Sequence, residues 1–91
     1  MSLLSPISGE LAATGTSEGT IELAKDFSLS LRGTWVGTVL VERSFDDGVE
    51  WGTVESFTEN TEKWGYEPEG ALYRVRCSAY TSGTILYRLG K

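Results

Sequence analysis

Hydrophobic and polar residues alternate with a period of two along several segments of this chain. Phe27, Leu29 and Leu31 are each followed by a serine or an arginine, and the same alternation runs through residues 71–80 and 84–89. This is the pattern of a half-buried β-strand, whose successive side chains point to opposite faces of a sheet. No long segment repeats its apolar residues with the period of a helix. The sequence therefore predicts an all-β protein.

Glycine-containing segments divide these strands. The most apolar run, 35–43, is rich in β-branched residues and is predicted to be a central strand, followed by a strand at 50–57. Residues 81–83 are predicted to be a tight hairpin connection between the last two strands. Short strands with such turns predict a small antiparallel β-sandwich or barrel of about seven or eight short strands.

The first twenty residues differ in composition from the rest. They are rich in serine, glycine, threonine and alanine, and we predict that residues 1–20 form a flexible N-terminal arm or loosely held segment. Short strands near 8–13 and 20–23 remain an alternative within and beside this arm. Residues 21–91 are predicted to be a single β-sandwich domain.

Size and charge limit the possible functions. The chain has 91 residues, enough for one small domain, and we expect a homo-oligomer, a dimer or trimer, to add stability. Its net charge of −5 argues against nucleic acids and anionic membranes as partners. No apolar run has the length of a membrane span, and the N-terminus lacks the positive region of a signal peptide.

The segment Ser44–Trp51 carries the sharpest motif. It reads S-x-D-x-G-x-x-W, and it resembles the Asp-box, a β-hairpin turn that recurs in sialidases and other β-propellers as a structural element. The chain is too short for a propeller. We predict a structural turn formed by Ser44, Asp46 and Gly48 and covered by Trp51, since aspartate and glycine favour such turns.

Catalytic chemistry has little support in the composition. The chain has no histidine and one cysteine, Cys77, so the usual general base near neutral pH and a Cys–His pair are missing. Cys77 alternates with apolar residues and is predicted to be buried. The carboxylates around the hairpin could in principle form a glycosidase pair or a calcium site. We favour turn formation and solvation for them, and expect no catalytic residue, metal site or cofactor.

Aromatic and arginine side chains are the candidate partner contacts. Trp64 and Tyr66 lie in a polar, glycine-containing segment and are predicted to be exposed. Arg74, Arg76 and Arg88 are predicted to cluster on one sheet face, because the last two strands should pair. They would then either contact an acidic partner or pair with glutamates on the same sheet.

The C-terminal two thirds of the chain carry a longer pattern. It reads E-R-S-F-D-D-G-x-x-W from Glu42 to Trp51 and E-P-E-G-x-x-Y-R-x-R-C-x-x-Y-T-S-G-T-x-x-Y-R-L from Glu67 to Leu89. Over residues 27–90 it resembles a group of small proteins encoded by tailed bacteriophages and prophages, some of them among virion structural genes.

This resemblance implies a non-enzymatic virion component rather than a host enzyme. The expected function is that of a capsid decoration or cement protein, or another head or tail accessory protein, which binds capsid or other virion proteins. It would be made in the cytoplasm of the bacterial host and located in the virion. The alternative is a small recognition module that binds host-surface glycans through Trp64, Tyr66 and nearby loops.

Overall fold

The computed structural model describes residues 6–16 and 20–90. These residues form one antiparallel sheet and contain no helix. The strands are β1 (Ile7–Leu11), β2 (Gly15–Thr16), β3 (Ile21–Ser44), β4 (Gly52–Phe57) and β5 (Thr61–Gly90). Their order is β1-β5-β3-β4, with β2 paired separately to β5. The predicted all-β, antiparallel architecture is confirmed.

Two long strands replace most of the predicted short ones. β3 has 24 residues and β5 has 30, so the described residues form five strands where the sequence predicts about seven or eight. The predicted hairpin at 81–83 is wrong, because Gly83 lies opposite Trp35 and β5 continues through it. Gly83 has a φ of 92°, and a Cβ on it would overlap the carbonyl oxygen of Thr34. This glycine bends the strand and allows close backbone approach without ending it.

The two long strands pair with each other twice. The first part of β3 pairs with the first part of β5, and the later parts of both strands pair along their other edges. Where the two ladders overlap, Ser28 lies opposite Trp64 on one side and Gly90 on the other. Register shifts interrupt both ladders, as expected where strands bend. The sheet therefore curls, and both ends of β5 come to lie beside the middle of β3.

The hydrophobic core lies on the inner face of this curled sheet. Alternate residues of β3 and β5 supply most of it, as the period of two predicts. The residues with no solvent exposure are Leu23, Leu31, Val39, Val75, Ile85 and Leu89. Cys77 is buried, as predicted, and burial raises the pKa of its thiol. The alternation through residues 71–80 also predicts Ala79 on this inner face, but Ala79 is exposed. The β3–β5 register shifts nearby, between Val36 and Gly37 and between Thr38 and Val39.

Part of the predicted N-terminal arm belongs to the sheet. All of β1 pairs with β5, from Ile7 opposite Leu89 to Leu11 opposite Ile85. Leu11 is buried and Ile7 packs against the core, so apolar contacts as well as the ladder with β5 hold this serine- and glycine-containing segment as an edge strand. Residues 1–5 and 17–19 of the predicted arm, and residue 91 of the predicted domain, lie outside the described residues.

Candidate binding surface

The turn between β3 and β4 is held by side chains of its own residues. The Ser44 hydroxyl accepts a hydrogen bond from the Gly48 amide (2.9 Å) and donates one to the Asp46 carboxylate (2.7 Å). That carboxylate also accepts a bond from the Glu50 amide (2.9 Å). The bond from Ser44, followed by the bond from the Glu50 amide, lowers the pKa of Asp46. The polar groups of the turn are thus engaged with one another.

Trp51 covers this turn. Its indole Nε1 donates to the carbonyl oxygen of Gly48 (3.1 Å), and its ring lies 3.6 Å from the position of a Cβ on that glycine. Asp47 and Gly48 have φ values of 57° and 88°, in the left-handed region that aspartate and glycine tolerate. Ser44, Asp46, Gly48 and Trp51, the residues predicted to form the turn, therefore contact one another.

Arg74 and Arg76 pair with a single glutamate. Their Nε atoms donate to the two carboxylate oxygens of Glu42 at 2.8 and 3.0 Å, and only 4% of Glu42 is exposed. The Arg74 guanidinium also lies 4.1 Å from the centre of the Trp51 ring. Of the two interpretations given for these arginines, cross-strand pairing is observed. Arg74 links the turn to the sheet.

Arg88 does not join this group. The predicted cluster of three arginines depended on a hairpin that does not form, and all three lie on the continuous strand β5. Arg88 is near the end of that strand, opposite Ser30, with its Nη1 3.5 Å from the hydroxyl oxygen of Ser28. The arginines therefore belong to two separate surfaces.

Trp64 and Tyr66 are exposed, as predicted. The exposed fractions of these residues are 79% and 60%. Both point outward from β5, whereas Gly65 and Glu67 face inward and the Phe27 ring packs against Gly65. Since the two aromatic residues are on a regular strand, the sheet fixes their backbone positions.

A groove lies on the outer face beside Trp64. Its floor includes Ser28 and Ser30 of β3, and its sides include Trp64 and Arg88 from the two ends of β5, with Arg32 also lining it. The groove has a volume of about 530 Å³. The sequence does not reveal it, because it forms only when the two ends of β5 lie on opposite sides of β3. The alternation of serine with apolar residues in β3 was the one available signal.

The groove carries more cations than carboxylates. Arg32, Lys63 and Arg88 line it together with Glu62. The Nε of Arg32 donates to Glu62 (2.9 Å) and to the hydroxyl oxygen of Ser30 (3.0 Å). The Ser30 hydroxyl also donates to Glu62 (2.5 Å). The bond from Arg32 and then the bond from Ser30 lower the pKa of Glu62. Three basic side chains and one carboxylate thus line this groove, in a chain of net charge −5.

A second polar group is enclosed by the core. Glu67 is 1% exposed, and its carboxylate accepts bonds from the Tyr73 hydroxyl (2.6 Å), Arg43 (3.1 Å) and the Glu69 amide (3.2 Å). Burial alone would raise the pKa of Glu67, but these three donors outweigh it and lower the pKa. Burial, and then the bond to Glu67, raise the pKa of Tyr73 to about 12. With so little exposure, this network is structural.

Comparison with protein-family models, curated proteins and solved structures gives no significant match. Within residues 6–16 and 20–90, no three or more His, Cys, Asp or Glu side chains are grouped so that they could hold a metal ion. The same residues contain no helix with the length and hydropathy of a membrane span.

Proposed function

We propose that this chain is a non-enzymatic structural protein of a tailed-bacteriophage virion, a capsid decoration or cement protein or another head or tail accessory protein. The observation that carries this proposal is the outward presentation of Trp64 and Tyr66 on β5. Large exposed aromatic residues on a rigid strand are typical of protein interfaces, where they anchor binding. The resemblance of residues 27–90 to phage proteins supplies the kind of partner.

The contact surface includes Trp64, Tyr66 and Arg88, which lie on the outer face of β5. Arg74 and Arg76 contribute less, because Glu42 already engages both. Homo-oligomerisation as a dimer or trimer would place several copies of this surface against symmetric sites on a capsid, and the combined affinity would exceed that of one copy.

The state of the carboxylates supports a non-enzymatic role. Hydrogen bonds lower the pKa of Asp46, Glu62 and Glu67, so these groups stay ionised near neutral pH. A general acid or base is most effective with a pKa close to the working pH. Ordinary turn formation and ion pairing account for all three side chains.

Purified particles test this proposal. The chain should be present in many copies per particle, counted by quantitative mass spectrometry or in a cryo-EM map. Particles that lack it should release their contents at a lower temperature than complete particles. If no particle contains the chain, the proposal is wrong.

The groove beside Trp64 favours a second candidate function, recognition of host-surface glycans. An exposed aromatic ring, serine hydroxyls and planar guanidinium groups are the kinds of side chain that bind sugars, the ring through the apolar face and the others through hydrogen bonds. A recognition module should occur in few copies per particle and should bind cells or glycans as an isolated domain. Those two observations separate it from a cement protein.

A further inference from the structure

We propose that the groove beside Trp64 binds a carboxylate-bearing oligosaccharide, with one sugar ring stacked on Trp64 and the carboxylate paired with Arg32. This inference rests on the second candidate function, glycan recognition, and specifies the chemical class of its ligand. Three features of the groove support it: the exposed ring of Trp64, the unused donors of Arg32 and the basic side chains in its lining.

Trp64 has the exposure that a stacking residue needs. It is 79% exposed, lines the groove, and also borders a second surface depression together with Lys25 and Phe27. Trp51 provides a contrast, since its ring is already covered by Arg74. A large apolar ring held on a strand and left open to solvent can bury considerable area against a ligand at a small entropic cost.

Arg32 is held in place but keeps donors for a ligand. Its Nε makes both of its hydrogen bonds, to Glu62 and Ser30, and 69% of its side chain is exposed. Across residues 6–16 and 20–90, its two terminal amino groups have no hydrogen-bond partner. The guanidinium fork matches a carboxylate in a bidentate arrangement. Glu62 and Ser30 therefore orient a group that is ready to pair with an anion.

The spacing fits more than one sugar unit. Trp64 lies directly opposite Ser28, and Arg32 comes four residues after Ser28 on β3. At the rise of a β-strand this separates Trp64 from Arg32 by about 13 Å along the groove. Ser28 lies beside Trp64, and Ser30 lies between Ser28 and Arg32 along β3. The stacked ring and the carboxylate would thus belong to different units of an oligosaccharide.

Charge favours a small anionic group over a polyanion. Arg32, Lys63 and Arg88 line the groove with one carboxylate, Glu62, and Lys63 is itself paired with Glu55 at 2.5 Å. The rest of an acidic chain would repel an extended polyanion such as a nucleic acid. A single carboxylate on an otherwise neutral sugar avoids most of this repulsion and can still pair with a basic side chain of the groove.

Calorimetry on the full chain with two matched probes tests this inference. The probes are 3′-sialyllactose, a trisaccharide with a single carboxylate, and its methyl ester, which have the same rings but differ in charge. The acid should bind about tenfold more tightly than the ester, the size expected for a charge-assisted pair. Arg32→Gln should abolish this preference, and Trp64→Ala should weaken binding of both probes. Phe45→Ala is the matched control, since Phe45 is an exposed aromatic residue that does not line the groove, and it should change neither.

Glu62→Gln gives a test in the opposite direction. It removes a negative charge beside the ligand carboxylate, while the amide oxygen can still accept the bond from Nε of Arg32, so it should strengthen binding of the acid and leave the ester unchanged. Equal binding of acid and ester by the natural chain would overturn this inference and leave glycan recognition standing. If the chain binds neither these probes nor trigalacturonic acid and its methyl ester, both this inference and glycan recognition are wrong. If poly-glutamate binds as tightly as the acidic oligosaccharide and Trp64→Ala does not weaken its binding, the attraction is unspecific and the inference is wrong as well. Thermal unfolding of each variant confirms that it is folded.

Discussion

Trp51 and Trp64 are both tryptophans on the surface of one small sheet, but their environments differ. Trp51 donates its indole N–H to Gly48, and Arg74 stacks on its ring. Trp64 is 79% exposed and borders a groove. The first side chain is used by the fold, whereas the second is left for a ligand or partner. The residue type alone therefore does not indicate function. The contacts that each ring makes within the fold do.

Glu67 and Glu62 show the same difference among carboxylates. Glu67 is buried and accepts bonds from Tyr73, Arg43 and an amide, so it stabilises the fold and is not accessible to a ligand. Glu62 is open to solvent and pairs with an arginine that keeps unused donors. Hydrogen bonds lower the pKa of both carboxyls. A lowered pKa thus has a structural cause in each case, and only the exposed pair can take part in binding.

Replacing Trp51 should have the largest effect on stability. Trp51→Ala removes the cover of the turn and the ring on which Arg74 stacks, and it should lower the free energy of unfolding by about 2 kcal/mol. Urea denaturation followed by circular dichroism measures this loss. A variant as stable as the natural chain would contradict the role assigned to Trp51.

The Glu67 network should make stability depend on pH. Because the pKa of Glu67 is lower in the folded chain than the ordinary value of 4.5, its contribution is complete above that value and is lost as the pH falls through the folded pKa. Tyr73→Phe removes one donor and should cost about 1–2 kcal/mol at neutral pH. Denaturation curves at neutral pH and at steps down to about pH 3 test both statements.

Glu67→Gln provides the control for the pH dependence. It removes the titrating group, so its stability should fall less steeply in acid than that of the natural chain. Glu62→Gln should change the dependence of stability on pH much less, since the Arg32–Glu62 pair is exposed and screened by solvent. Equal slopes for the natural chain and Glu67→Gln would show that other groups control the acid transition.

Two substitutions in the turn should have smaller, graded effects. Ser44→Ala leaves the Gly48 amide without its bond and should cost about 1–2 kcal/mol. Asp46→Ala should lower stability by less, because Asp46 is exposed. Thermal unfolding should rank the natural chain first, then Asp46→Ala, then Ser44→Ala. If the Asp46→Ala variant is as stable as the natural chain but no longer binds a partner, the turn is instead a contact site.

Replacing the exposed aromatic residues should have the smallest effect on stability. Trp64→Ala and Tyr66→Ala remove little buried area, and each should change the free energy of unfolding by less than about 0.5 kcal/mol. The same denaturation assay used for Trp51→Ala measures this change. A large loss from Trp64→Ala would remove the contrast between the two tryptophans.

Local features could be predicted from the sequence, and non-local ones could not. The turn depends on contacts between Ser44 and Trp51, which are close in the chain, so its residues carry the information directly. The groove depends on β5 bending so that Trp64 and Arg88 lie on either side of Ser28. Nothing in the local pattern specifies that double pairing.

Glycine also has two structural roles that the local sequence does not distinguish. Gly48 and Gly83 both have positive φ, but Gly48 closes a turn and Gly83 bends a strand that continues. The difference depends on what lies opposite each glycine, and Gly83 faces Trp35 of β3. The sequence therefore predicted the all-β class and the alternating core, while the predicted strand count was too high.

The decisive measurement is the number of copies of this chain, and of its Trp64→Ala variant, in purified virions. Particles assembled with each form would be compared by quantitative mass spectrometry, with Phe45→Ala, which removes an exposed aromatic residue elsewhere, as the control. We predict many copies per particle for the natural chain and for Phe45→Ala, and a clear loss for Trp64→Ala. Particles without the chain, or equal occupancy for all three forms, would contradict this prediction.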